Sequence, residues 1–258
     1  MKKLIVANWK MNPQTLKEAR VLMHSVEHRA HTLLNTEIVV CPPTLFISAL
    51  GHSIGHVSLG VQNAMWEDQG AFTGELSPAA LKEFEIKYAL VGHSERRIHF
   101  GETDEQVGLK VGNLLKHKIT PIVCLGGGEK VTRATTKRTV TRQLSMAIKD
   151  LQKEEVNKIV FAYEPTWAIS SIKNSEPAKE ENVVEMVDHI RDLVAKETTK
   201  SIAEAVKVLY GGTVNSFNVN IFARHSQISG ALVGSASLDP DNFWEVIKEF
   251  ERESIHNP

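Results

Sequence analysis

Eight short apolar runs, each followed by a more polar stretch, constrain this chain more than any other feature. They are Leu4–Trp9, Glu37–Cys41, Val57–Gln62, Tyr88–Gly92, Ile119–Cys124, Ile159–Tyr163, Val206–Tyr210 and Gly230–Gly234. Short, nearly continuous apolar runs suit strands buried on both faces. Between them, Leu16–Ala30, Glu105–His117, Thr139–Lys153, Glu180–Lys196 and Phe243–Glu253 carry helical periodicity. Strands alternating with helices imply parallel pairing through right-handed crossovers. No Pro/Gly/Ser-rich linker or composition shift divides the 258 residues. The expected architecture is therefore an α/β chain folded as one closed (β/α)8 barrel over residues 1–258. An open doubly wound sheet is the rival, because strand number does not by itself prove closure.

Composition narrows the partners. A net charge of −1, with no long run of like charge, offers no basic surface for nucleic acid. No apolar stretch is long enough to cross a membrane, and Leu4 enters a strand pattern without leader-like architecture. Cys41 and Cys124 each close an apolar run, which suits reduced, buried thiols and a cytoplasmic location.

In a parallel α/β fold the residues just after each strand gather on one face, where sites are built. Glu164 follows the sixth run directly, and Pro165 biases it toward extended backbone. It is placed as a positioned base, although in isolation a solvated glutamate at a strand end is the plainer alternative. His93 follows Gly92 and opens a helical segment, whose N–H groups would favour a neutral ring able to donate to a carbonyl. A satisfied structural histidine is the competing interpretation. Lys10, just past the first run, can direct a cation into the shared face or simply point to solvent. Glu95, Arg96 and Arg97 suit a bracing ion-pair network. Tyr210-Gly211-Gly212-Thr213 and Val233-Gly234-Ser235 follow the last two runs, the usual place for a phosphate cradle in a barrel. Base, donor, cation and phosphate cradle together suit proton transfer beside a carbonyl in a small phosphorylated substrate. Walker-type, dinucleotide and metal-ligand motifs are absent from the sequence.

These residues resemble the triosephosphate isomerase family along essentially the whole chain. The matching segments are Ala7–Asn12, Gln62-Asn63 with Gly70–Glu75, Leu90–Arg97, Tyr163–Ile169, Tyr210–Gly212 and Leu232–Leu238. The resemblance implies a TIM barrel and aldose–ketose isomerisation through an enediolate, with no cofactor and no metal. It implies that Glu164 is the base, that His93 polarises the carbonyl, that Lys10 neutralises charge and that Asn8 binds the enediolate. Thr213, Gly234 and Ser235 fall on phosphate-binding positions, and Ser170 on a mobile lid, 165–177, that reaches the phosphate. Thr73, on the Gly70–Glu75 loop, implies a homodimer.

The chain also departs from the family pattern. Its lid reads Trp167-Ala168-Ile169-Ser170-Ser171-Ile172-Lys173 where the family usually has Gly-Thr-Gly after the isoleucine. Gly234-Ser235 replaces a Gly-Gly pair. After the fifth strand the chain reads Cys124-Leu125-Gly126-Gly127-Gly128-Glu129, with Gly127 where a carboxylate is usual, so that carboxylate is missing or displaced. The loop 63–70 is similar to that of relatives acting on four-carbon ketose phosphates. Triose phosphates are the expected substrates, tetrulose phosphates the alternative, and a non-catalytic phosphate-binding barrel the third.

Overall fold

The computed structural model describes residues 2–52, 54–127, 132–165 and 178–256. Its eight described strands are β1 (Lys3–Asn8), β2 (Thr36–Cys41), β3 (Ser58–Val61), β4 (Tyr88–Val91), β5 (Thr120–Leu125), β6 (Val160–Tyr163), β7 (Lys207–Tyr210) and β8 (Gly230–Val233). Each boundary lies within one residue of the apolar run that announces it. All neighbours pair in parallel, and β1 pairs with both β2 and β8, so the sheet closes into a barrel in sequence order. Closure excludes the open doubly wound alternative.

The described helices are α1 (Leu16–Ala30), α2 (Ile47–Gly51), α3 (Pro78–Lys82), α4 (Ser94–Phe100), α5 (Asp104–Lys116), α6 (Arg133–Ile148), α7 (Glu180–Glu197), α8 (Lys200–Ala205), α9 (Val219–Ala223) and α10 (Pro240–His256). Capping fixes where the long ones start. The Thr15 hydroxyl accepts the Glu18 N–H while Glu18 accepts the Thr15 N–H, and Thr103 and Gln106 repeat this at α5. The expected helix Thr139–Lys153 is corrected to α6, which starts six residues earlier (133 against 139) and stops at Ile148. Its first turn is polar and invisible to apolar periodicity. Beyond its C-terminus, Glu155 accepts the Gln152 N–H and opens a separate 3-10 turn, Lys153–Lys158. Of the five short helices, α4 is the helical segment expected after His93, and the other four carry no readable period in a single turn or two.

Strand alternation divides the apolar residues into two layers. Leu4, Val6, Val39, Cys41, Leu90, Ile122, Cys124, Val160, Ala162, Leu209 and Leu232 fill the barrel interior. Ile5, Ala7, Ile38, Val40, Val123, Phe161 and Val208 face outward and pack beneath the helices. Extending the inward set by one step per strand reaches Asn8 after Val6, Glu164 after Ala162, Gly211 after Leu209 and Gly234 after Leu232. The period that builds the core thus delivers polar groups and glycines to the barrel mouth. No helix among the described residues is long and apolar enough to cross a membrane.

Leu90 is fully buried in the interior layer. Leu90→Ala should lower unfolding free energy by about 2–5 kcal/mol in urea titration, the range for a large-to-small change at a packed site. A loss well under 1 kcal/mol would show an interior loose enough to collapse around the gap.

Candidate active site

At the mouth of the barrel Asn8, Lys10, His93, Glu164, Gly211, Gly212, Leu232 and Gly234 line one small pocket. Glu164 lies on its wall with only 1% of its surface exposed. Its own N–H donates to Leu125 O at 2.7 Å, so the end of β6 remains tied to β5. Its carboxylate accepts the Ser94 N–H at 3.0 Å through Oε2, and Oε1 lies 3.0 Å from His93 Nε2. A buried carboxylate requires such partners, since an unpaired charge removed from water is strongly disfavoured. Gly211 lets the chain pass close by, because a Cβ there would lie 3.0 Å from Glu164 Cγ.

His93 is the N-cap of α4, and its Nδ1 accepts the Glu95 N–H at 3.2 Å. A backbone N–H can only donate, so Nδ1 carries no proton and Nε2–H points at Glu164. Burial disfavours the imidazolium, but Glu164 and then Glu95 outweigh burial and set the His93 pKa above its ordinary value. For Glu164, burial favours the protonated acid, yet His93, the Ser94 N–H and Lys10 together hold its pKa below the ordinary glutamate value.

Lys10 occupies a left-handed conformation at φ 55°, which is unfavourable by roughly 1–2 kcal/mol for a residue with a Cβ. Two side chains hold it there. Asn8 Oδ1 accepts the Lys10 N–H at 3.1 Å, and Gln62 Nε2 donates to Lys10 O at 2.7 Å. The same Gln62 amide reaches Cys41 O at 3.0 Å and so ties the ends of β1 and β2 together. Lys10 Nζ meets Glu95 Oε1 at 2.5 Å, which orients the ammonium beside the pocket. Arg97 pairs with Asp104 at 2.5 Å and donates to Gly92 O at 2.7 Å, bracing the turn before His93.

Thr213 follows the Gly211-Gly212 turn, and its carbonyl accepts from Asn218 Nδ2 at 2.9 Å. Gly234 caps the 3-10 turn Ser235–Leu238, on which Ser235 is exposed. Thr73 is exposed in the turn between β3 and α3, away from this pocket. Ser170, the rest of the lid beyond Pro165, Gly128 and Glu129 lie outside the described residues. Cys41 and Cys124 are both free and buried.

Sequence reasoning did not find the Ser94 N–H as a carboxylate partner, nor Gln62 as the brace of Lys10. A backbone donor leaves no residue signature. For Gln62 the signal was a polar amide closing the third apolar run.

The triosephosphate isomerase family model matches residues 3–250, a span holding every residue of this pocket. The chain belongs to the triosephosphate isomerase family. A triosephosphate isomerase of Dictyoglomus turgidum is 36% identical over 250 residues, covering 96% of this chain and 99% of that one. That of Dictyoglomus thermophilum is 37% identical over 250 residues with the same coverage, 96% and 99%. The eight-stranded closed barrel is accordingly the triosephosphate isomerase fold.

The low pKa of Glu164 links this site to stability. A group whose folded pKa is depressed stabilises the fold fully above its unfolded pKa, about 4.3, and loses that contribution as pH falls through the folded value. Urea unfolding from pH 6 to pH 3 should therefore show a steeper acid loss for the wild type than for Glu164→Gln. Parallel curves would contradict the pairing.

Proposed function

We propose that this chain interconverts dihydroxyacetone phosphate and D-glyceraldehyde 3-phosphate, as an aldose–ketose isomerase acting through an enediolate. The observation that carries the proposal is the buried carboxylate–imidazole pair, Glu164 and His93, beside Lys10 in one pocket. Membership of the family supports the same reaction.

In this proposal Glu164 removes a proton from the carbon next to the carbonyl, and the electron pair moves onto oxygen. His93 Nε2–H donates to that oxygen as charge develops. A substrate oxygen that takes over Nε2–H displaces Glu164 from it, weakening the larger of the two upward pulls on the imidazole. Burial, Lys10 and the Glu95 N–H at Nδ1 then favour the neutral ring against the Glu95 carboxylate. Glu164 then returns the proton to the neighbouring carbon, and His93 exchanges protons between the two oxygens. Lys10, oriented by Glu95, offsets the substrate's negative charge, and the Asn8 amide bonds the enediolate. Thr213, Gly234 and Ser235 bind the phosphate through the turns after β7 and β8, and Ser170 completes that cradle from the lid.

We further propose a cytoplasmic homodimer, with residues 1–258 working as one domain and Thr73 reaching toward the partner's site. The loops and short helices that follow β1 to β4, neighbouring strands of the barrel, expose Met11 (82%), Leu45 (89%), Phe72 (39%) and Phe100 (71%). So many exposed large apolar side chains on one side of the mouth suit a covered surface. Light scattering at micromolar concentration should give about twice the 28.7 kDa chain mass. A mass equal to one chain would refute the dimer.

Steady-state assays with triose and tetrulose phosphates side by side test the substrate. The expected outcome is higher kcat/KM for triose phosphates, and a clear four-carbon preference would overturn it. Glu164→Gln should lower kcat by about a hundredfold or more, the scale of a positioned acid–base group. Turnover near wild type would exclude Glu164 as the base. Phosphate binding without isomerisation of either substrate would leave a non-catalytic barrel.

A further inference from the structure

Gln143 lies on α6, outside the pocket, yet its side chain is only 2% exposed and both ends of its amide are used. The Gly126 N–H donates to Gln143 Oε1 at 2.7 Å, and Gln143 Nε2 donates to Gly127 O at 2.8 Å. One side chain thus pins backbone groups of two consecutive residues, the Gly126 N–H and the Gly127 carbonyl, in the turn after β5. That turn lies against both Glu164 and Ser94. Gly126, at φ 91°, has room for no Cβ, which would fall 3.0 Å from Glu164 O and from the Tyr163 ring. At Gly127 a Cβ would fall 2.6 Å from Ser94 Cβ and 3.4 Å from Glu164 Oε2. Ser94 in turn supplies the N–H that Glu164 accepts.

We propose that Gln143 is a positioning residue for Glu164: it fixes the Gly126-Gly127 turn, which holds Ser94 and its N–H against the carboxylate. The effect on turnover rests on the proton-transfer role proposed above, whereas the placement of the carboxylate does not. Rigid contact carries the coupling. Gly127 packs directly on Ser94 Cβ and Cα, so a displacement of the turn passes directly to the donor. Without the clamp the Gly126 N–H and Gly127 carbonyl lose buried partners and the turn can shift. A small misplacement of a reacting group is enough to lower turnover sharply.

The test compares Gln143→Leu, which keeps the bulk and removes both hydrogen bonds, with Gln143→Glu, which keeps an acceptor for Gly126. Titration of the Glu164 carboxyl is followed by 13C NMR, with Glu164→Gln providing the assignment. Glu164 is faced by His93, Lys10 and the Cys124 thiol, all of which the variants retain. In folded Gln143→Leu the Glu164 titration should move to higher pH, because a hydrogen bond to its ionised form is weakened. With triose phosphate, kcat should fall about tenfold or more while KM stays within about twofold, since the phosphate turns after β7 and β8 are untouched. In kcat Gln143→Glu should also fall below the wild type, since its second carboxylate oxygen faces Gly127 O in place of a donor. The titration is compared only for Gln143→Leu, which adds no carboxylate near Glu164. If Gln143→Leu does not fold, Gly127→Ala displaces Ser94 from the other side and should give the same kcat-selective loss. A folded Gln143→Leu with lower thermal stability but unchanged titration and kcat would overturn the proposal, leaving Gln143 a clamp for α6 alone. An inactive wild type with a displaced Glu164 titration in the variant would instead refute the isomerase function and retain the positioning role.

Discussion

The Glu164 carboxylate, held between the Ser94 N–H and His93 Nε2–H, bridges the ends of β4 and β6 across the intervening β5. A group 1% exposed and ionised has no water to fall back on, so its partners must be fixed by the fold. Each partner is fixed through another contact. His93 is locked by the Glu95 N–H at its Nδ1, Ser94 by the glycine turn pressed on it, and Lys10 by Asn8, Gln62 and Glu95. The pocket is therefore a network whose orientation is set before any substrate arrives. That is the condition under which electrostatic groups act on a transition state without reorganising.

The barrel supplies this network through one simple rule. Inward and outward positions alternate along each strand, and the inward series that fills the interior with Leu4, Val6, Val160 and Ala162 ends in Asn8 and Glu164. Core and site thus share a register, and a slip of one residue would turn Glu164 away from the pocket. Glycines at the same level on β7 and β8 leave space where the polar residues of β1 and β6 need it.

Much of this is legible in the amino-acid order because it rests on patterns that sequence carries directly. The eight apolar runs locate every described strand to within a residue, and Glu164 before Pro165 marks a strand end by local chemistry alone. Barrel closure depends on pairing between β1 and β8, which no local segment records. The Ser94 donor is a peptide group, and Gln143 reads as an ordinary polar helix residue until α6 packs over the β5 turn. The early start of α6 was hidden for a related reason, since its first turn buries little apolar surface. Gly127, which reads only as a missing carboxylate, turns out to be a point of close backbone contact with Ser94.

The most direct test of the central claim, proton transfer by an enclosed carboxylate, is isomerisation of triose phosphate in D2O with the product examined by NMR. A base that exchanges its proton with solvent during the lifetime of the enediolate should place deuterium on the carbon that receives the proton in a measurable share of the product. Product formed at full rate with no deuterium at that carbon, as direct hydride transfer requires, would contradict it.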